Sequence, residues 1–108
     1  MVNYRGKLDI AADILNVVSR NPRKTQIMYQ ANLSFQILEK YLAELSEASL
    51  MCFEDGNQCY ALTQKGQQFL DAYREYAKTN RNVEKVLSNF NIKKANLERF
   101  LANEHQIE

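Results

Sequence analysis

The chain has 108 residues, 45% of them hydrophobic, and a formal net charge of +1, which suits one small folded domain and excludes a disordered chain. Lysine and arginine outnumber aspartate and glutamate by six to three in residues 1–41 and by six to four in residues 77–108, but are outnumbered by two to six in residues 42–76. No apolar run can span a bilayer and the first residues lack a signal-peptide core, so we expect a cytoplasmic protein without a membrane partner.

The first two predicted elements are helices. Residues 7–20 space their apolar side chains, from Leu8 to Val18, at helical intervals along one stripe. The Asn-Pro pair at 21–22 ends this helix, because the residue before a proline disfavours helical backbone. A second and shorter helix is predicted over residues 24–31.

The next segment, Ala-Asn-Leu-Ser at 31–34, predicts a tight turn between two packed helices. Asn32 tolerates the left-handed backbone that closes a helix, Leu33 can fill the corner, and Ser34 can accept a backbone N–H to begin the third helix. That helix is predicted over residues 35–48. Its apolar face consists of Leu38, Tyr41, Leu42 and Leu45.

Residues 50–63 predict a β-hairpin, because Asp55-Gly56 separates two short runs rich in apolar and aromatic residues. With these two residues at the tip, Cys52 lies opposite Cys59. Two buried free thiols are the interpretation that suits a reducing compartment, and a cross-strand disulfide is the alternative.

After the hairpin, Thr63 is predicted to cap a long helix with the heptad repeat of a coiled coil. The seam residues follow one another at intervals of four and three and are Phe69, Tyr73, Tyr76, Asn80, Val83, Leu87 and Phe90. The first two are also expected to complete the core of their own domain in part. A helix of this length extends beyond a small domain, so we expect the seam to pair with a second protomer. A hairpin with the last helix of the same chain is the alternative.

The asparagines around Phe90 indicate a break in this helix near residues 89–92. Residues 92–103 contain further apolar side chains at helical spacing. They either continue the long helix or form a second helix that folds back.

Three helices, a β-hairpin and a long helix follow the element order of a winged helix-turn-helix domain, a mainly α fold with a β-hairpin wing. The domain is predicted over residues 4–66, and a C-terminal dimerisation helix over residues 67–103. In such a domain the third helix can lie in the major groove with its first residues at the base edges.

Residues 4–90 resemble the archaeal winged helix-turn-helix DNA-binding proteins that have a C-terminal coiled-coil dimerisation helix. The segments that carry the resemblance are RGKLDIAADIL, KTQIMYQANLSFQILEKYLAEL and YALTQKGQQFLDAYREY. The resemblance implies a homodimer, paired through an antiparallel coiled coil, that binds double-stranded DNA. In this family a basic residue commonly occupies the positions of Gln30 and Gln36, and a glycine that of Ser49. Fewer cations predict weaker and less salt-sensitive DNA binding.

The side chains expected to contact DNA lie at the starts of the second and third helices and at the hairpin tip. They are Arg23, Lys24 and Thr25; Ser34, Phe35, Gln36 and Lys40; and Asn57 and Gln58. For the polar and charged residues, ordinary solvated surface is the alternative. For Phe35 the two interpretations are contact with a thymine methyl and a position covering the corner between helices 2 and 3. Glu44 and Glu47 crowd the end of the third helix and would repel the DNA backbone, so contact is expected through the start of that helix.

The function expected is a homodimeric DNA-binding protein, a transcriptional regulator that uses helix 3 over residues 34–48. The alternative is a protein–protein interaction module that does not touch DNA, which the acidic residues favour. An enzyme is not expected, since the sequence has no nucleophile–base pair and no glycine-rich phosphate loop. His105 and the two cysteines lack the spacing of a zinc site, so no metal, cofactor or small-molecule ligand is expected.

Overall fold

The computed structural model describes residues 5–107, and the side chains of residues 5–102. Residue 4, the predicted start of the domain, and the side chain of His105 lie outside this description. The elements are α1 (Lys7–Val18), α2 (Lys24–Gln30), α3 (Phe35–Glu47), β1 (Met51–Glu54), β2 (Cys59–Leu62) and α4 (Gln64–Ile107). The two strands form an antiparallel hairpin. The predicted fold class, winged helix-turn-helix with a long C-terminal helix, is confirmed.

The chain divides into two compact units, of which the first ends at Arg74 and the second begins at Glu75. The core of the first unit is built from one face each of α1 and α3, closed by α2, β1 and the first turns of α4. Its most deeply buried side chains are Ile14, Leu15, Val18, Ile27, Leu38 and Met51. The predicted apolar face of α3 is confirmed. The predicted stripe of α1 is buried from Ala11 onward, whereas Leu8, in the first turn of that helix, is 48% exposed.

The turn between α2 and α3 has the predicted geometry. Asn32 adopts a left-handed backbone with φ of 56°. The N–H of Leu33 donates to the carbonyl of Met28 at 3.0 Å, and the Leu33 side chain packs against the core. The Ser34 hydroxyl accepts from the N–H of Ile37 at 3.3 Å, which caps α3.

An arginine outside the helices also holds this turn. The guanidinium of Arg5 donates to the carbonyls of Ala31 and Asn32, at 2.7 and 2.9 Å, and to the carboxylate of Asp13 at 2.9 Å. The carbonyls at a helix C-terminus lack partners within the helix, and the fork of donors on one arginine satisfies two of them here. Arg5 therefore connects the start of the chain and α1 to the helix-turn-helix.

The hairpin register differs from the prediction. Cys59 pairs with Glu54 and Cys52 with Ala61, so the expected pairing of the two cysteines is wrong. The cause is a four-residue turn, Asp55 to Gln58, in which Gln58 takes the left-handed backbone with φ of 54°. Both cysteines are free thiols, and only Cys59 is buried, so the expectation of two buried thiols is wrong for Cys52.

Gly66 allows the first turn of α4 to approach the backbone just before β1 closely. A Cβ at this position would lie 2.1 Å from the carbonyl oxygen of Leu50, a distance that no side chain can adopt. The hydroxyl of Thr63 accepts from the Gly66 N–H at 3.0 Å and donates to the carbonyl of Ser49 at 2.6 Å. Ser49, at the position where the resemblance leads us to expect a glycine, has a left-handed backbone with φ of 63°. The predicted Thr63 cap is confirmed.

In the second unit α4 is continuous through residues 89–92, so the expected break is not present. Asn89 and Asn91 are exposed, and an asparagine inside a helix costs only about 0.7 kcal/mol relative to alanine. With no glycine or proline nearby, that cost does not end the helix. Among the described residues, no helix has the length and apolar character to cross a membrane.

Candidate nucleic-acid interface

Four of the nine predicted contact residues lie at the start of α3, at its N-cap or on its outward face. Phe35 is 57% exposed, and Gln36 and Lys40 are also exposed. The opposite face of the helix is buried in the core, so these side chains project from a rigid support. Ser34 is exposed as well, but its hydroxyl already accepts the capping hydrogen bond. The structure thus brings the four predicted α3 residues to one exposed helix start.

The start of α2 presents Arg23 and Thr25 to solvent. The backbone N–H of Arg23 donates to the side-chain oxygen of Gln26 at 2.8 Å, which uses one of the donors proposed for a phosphate. Neither Arg23 nor Lys40 forms an ion pair within the described part of the chain. These two cations are therefore available to an external anion.

Lys24 differs from these two cations because it is engaged inside the protein. Its ammonium group pairs with the carboxylate of Glu39 and lies 4.7 Å from the ring centroid of Phe35. We call these three side chains the Glu39 cluster. It joins the start of α2 to the outward face of α3 through a charge pair and a cation–π contact. Within the protein, the carboxylate of Glu39 therefore competes with a DNA phosphate for the ammonium group of Lys24.

Sequence reasoning missed Glu39 as a candidate. The signal was present in its spacing, since Glu39 follows Phe35 by four residues and Gln36 by three and must share their helix face. Ile37 is exposed beside this face, which agrees with its absence from the predicted apolar face of α3.

The hairpin tip contributes polar but not basic groups. Asn57 and Gln58 are exposed, and the Gln58 amide donates to the carbonyl of Asp55 at 2.7 Å within the turn. Beside the tip, burial and the neighbouring Glu54 carboxylate raise the pKa of the Cys59 thiol. The tip has no cation to attract a phosphate, and of the two predicted contacts only Asn57 makes no internal hydrogen bond among those described.

The far end of α3 is less acidic in effect than its sequence implies. Glu44 pairs with Lys7 at 3.4 Å, and the ammonium group of Lys65 donates to the carbonyl of Ala48 at 2.8 Å. These cations offset part of the negative charge that Glu44 and Glu47 place there. In the described residues, no group of three or more histidine, cysteine, aspartate or glutamate side chains could hold a metal ion.

In the first unit, the start of α4 packs against α1. Phe69 and Tyr73 are partly buried against the core, which is the second role expected for them. The Tyr73 hydroxyl donates to Asp9 at 2.5 Å, and the same carboxylate accepts from the N–H of Gly6 at 2.9 Å. These two hydrogen bonds, with a smaller effect of Arg5, hold the pKa of Asp9 below its usual value.

The second unit carries an exposed apolar stripe along α4. Of the predicted seam, Tyr76, Val83, Leu87 and Phe90 are each at least 50% exposed. Because the helix continues, Leu97 follows Phe90 by seven residues and Leu101 follows Leu87 by fourteen, so both extend the heptad spacing. A shallow groove on this helix is lined by Thr79, Asn82, Val83, Val86, Leu87 and Phe90. Asn80 lies exposed within the same repeat.

Comparison with known proteins gives one family match and two similar solved structures. A family model described as winged helix-turn-helix matches residues 4–81. The crystal structure of Sso10a-2, a DNA-binding protein from Sulfolobus solfataricus, is similar with a TM-score of 0.73 and 24% identity over 79% of this chain and 92% of that one. The structure of a cysteine-to-serine mutant of ZitR from Lactococcus lactis is similar with a TM-score of 0.54 and 14% identity over 98% and 79%. A search of curated protein sequences gives no match. At these identities, the similarity of the two structures to this chain shows a shared fold and no more.

Proposed function

The chain belongs to the winged helix-turn-helix family, and from this premise we propose that it binds duplex DNA through α3, as a homodimer, and regulates transcription. The observation that carries the proposal is the presentation of α3. Its start is capped by Ser34 and exposes Phe35, Gln36 and Lys40, while its other face is held in the core. A helix supported in this way can lie in the major groove with its first residues at the base edges.

The charges near α3 support binding through a small number of phosphate contacts. Arg23 and Lys40 are exposed cations without an ion pair among the described residues. Lys24 is engaged with Glu39, and the hairpin tip has no cation. The interface is therefore less cationic than a chromatin-coating protein requires, and α3 rather than the wing supplies most contacts. The similarity to Sso10a-2, described as a DNA-binding protein, also supports the proposal.

The apolar stripe on α4 supports the homodimer. Tyr76, Val83, Leu87 and Phe90 expose a continuous seam in a single chain, and burying such side chains is worth about 1.5–3 kcal/mol each. A second copy of the same helix supplies a matching seam, with Asn80 restricting the register. Two copies of α3 at a fixed separation would then bind paired half-sites or bridge two duplexes.

A protein-interaction module without DNA contact is the second candidate. The acidic wing, with Glu54 and Asp55 exposed, favours it, since these carboxylates would be repelled by a phosphate backbone. Arg23 and Lys40 oppose it. The two candidates make the same prediction for assembly and opposite predictions for DNA.

A salt series of duplex binding tests the proposal. If each protomer contributes Arg23 and Lys40, about four phosphates are neutralised, and affinity should fall roughly 100-fold between about 50 and 200 mM salt. Arg23→Gln and Lys40→Gln should each weaken binding to all sequences and reduce the salt slope by about two per dimer. Lys85→Gln removes the same charge in the second unit and is the matched control.

The outcomes separate the two candidates. If a folded protein binds no duplex even at low salt, the DNA-binding proposal is wrong and the interaction module stands. Equal losses for Lys40→Gln and Lys85→Gln would instead show that general charge attraction, and not α3, is responsible for binding.

A further inference from the structure

We propose that Glu39 is a base-specificity residue that accepts a hydrogen bond from the amino group of cytosine in the major groove. This inference rests on the proposed function, that α3 binds duplex DNA. It goes beyond that function because it names a base and the side chain that reads it. The observation behind it is the Glu39 cluster, the arrangement of Lys24, Phe35 and Glu39 on the exposed start of the helix-turn-helix.

The position of Glu39 is that of a residue facing the groove. Its side chain is 45% exposed and lies one helical turn beyond Phe35 and Gln36, on the same face. The buried residues Leu38 and Tyr41 lie about 100° and about 160° around the helix from Glu39. If α3 enters the major groove by this face, the carboxylate of Glu39 meets base edges and not the phosphate backbone.

The chemistry of a carboxylate then selects the base. An ionised carboxylate only accepts hydrogen bonds, so it needs a donor on the base edge. Guanine presents two acceptors in the major groove and thymine presents one, and both repel a carboxylate. Adenine has an amino donor but places its N7 acceptor beside it. The cytosine amino donor has an acceptor, the O6 of the paired guanine, on one side only, whereas the adenine amino group lies between two acceptors, its own N7 and the O4 of the paired thymine. Cytosine is therefore the base that Glu39 favours.

Lys24 makes a carboxylate tolerable at this position. An unpaired glutamate brought close to DNA would be repelled by the phosphates, whereas the Lys24–Glu39 pair brings no net charge. The carboxylate has about four acceptor positions, so the pair with Lys24 leaves others free for a base. The Phe35 ring, 4.7 Å from the ammonium group, limits the movement of the lysine. Lys24 thus acts as a positioning residue for Glu39.

Base preference, measured by selection of bound duplexes from a random pool, tests this inference. The wild-type protein should select a cytosine at one position of each half-site, by roughly five- to 100-fold over the other bases. Glu39→Gln should change the selected base at that position to adenine, because glutamine can donate to N7 and accept from the amino group. Glu39→Ala should remove the preference there while other positions keep theirs.

Glu47→Gln is the matched control, since it makes the same change at the exposed far end of α3 and should leave the selected sequences unchanged. A role for Glu39 in folding alone would weaken binding to every sequence without changing the selected base. An unchanged preference in Glu39→Gln therefore overturns this inference while DNA binding stands. If the wild-type protein retains no duplex at all, the proposed function fails and this inference fails with it.

Discussion

The two units of the chain differ in where their apolar side chains lie. In the unit that ends at Arg74, residues from α1, α2, α3, β1 and α4 bury one another in a common core. From Glu75 to Ala102 none of the side chains is buried, although large apolar residues such as Leu87 and Phe90 recur along the helix. The first unit buries a core within one chain, although Tyr29 and Phe35 stay exposed, whereas the second unit exposes all of its described large apolar side chains.

This difference also separates the two tasks that we propose for the protein. Recognition depends on the first unit, because α3 needs a rigid support to hold its outward face. Assembly, as proposed, depends on the second unit, because the exposed apolar stripe lies on it. Substitutions in one unit should therefore change one task and leave the other intact.

The largest effect is expected from Leu87→Glu in the second unit. Leu87 is 56% exposed in the single chain, and in the proposed dimer the new carboxylate would be buried without a partner. That should cost about 3–5 kcal/mol and raise the dimer Kd at least 100-fold. Sedimentation equilibrium at tens of micromolar should show a dimer for the wild type and a monomer for the variant.

Ser88→Glu is the control for this variant, because it adds the same charge one residue along, at a position outside the seam. It should remain dimeric. A wild-type protein that sediments as a monomer, or a Leu87→Glu protein that remains a dimer, would contradict the assignment of the stripe to a second copy.

A smaller effect, confined to the first unit, is expected from Leu38→Ala. Leu38 is completely buried, so removing its side chain leaves a cavity and should lower the free energy of unfolding by about 2–5 kcal/mol. Urea denaturation followed by circular dichroism measures this change. The neighbouring Ile37→Ala, at an exposed position, should cost less than about 1 kcal/mol. A change of oligomeric state in Leu38→Ala would show that the two units are not independent.

The smallest effect is expected from Asp9, through pH. Its hydrogen bonds lower its folded-state pKa, so the contribution to stability is complete above the unfolded pKa of about 3.9 and is lost as pH falls through the folded pKa. Melting temperatures measured from pH 5 down to pH 2.5 should therefore fall more steeply for the wild type than for Asp9→Asn. Tyr73→Phe removes the hydrogen bond that lowers the pKa of Asp9 most, so its melting temperature should fall with an intermediate slope. Parallel curves for all three proteins would exclude this contribution.

The helix-turn-helix could be predicted from sequence because its determinants are local. Asn32 and Ser34 carry the left-handed backbone and the helix cap within a few residues of one another, and both perform the expected roles. The apolar faces of the helices were predictable for the same reason, since helical spacing fixes which residues share a side.

The hairpin register could not be predicted because it depends on which turn residue adopts the left-handed backbone. The Asp55-Gly56 pair indicates a two-residue turn, yet Gln58 takes that conformation and the turn has four residues. The register then follows the turn, and Cys59 pairs with Glu54. A short pattern that permits two turn lengths does not distinguish between them.

Contacts between residues distant in sequence were also beyond prediction. Arg5 binds the carbonyl of Ala31, 26 residues further along the chain, and the pair between Lys24 and Glu39 depends on how α2 crosses α3. Sequence spacing shows which face a residue shares, but not which side chain of another element meets it. The predicted DNA contacts remain predictions for the same reason.

The close approach at Gly66 has a practical consequence for anyone who builds chimeras from this protein. The first turns of α4 touch the carbonyl of Leu50 and place Leu70 in the core, so they are as much part of the domain as α3. A helix from another protein should therefore be spliced after Arg74, in helical phase with the residues it follows. A splice at Gly66 would remove Leu70 from the core and yield an unstable fusion.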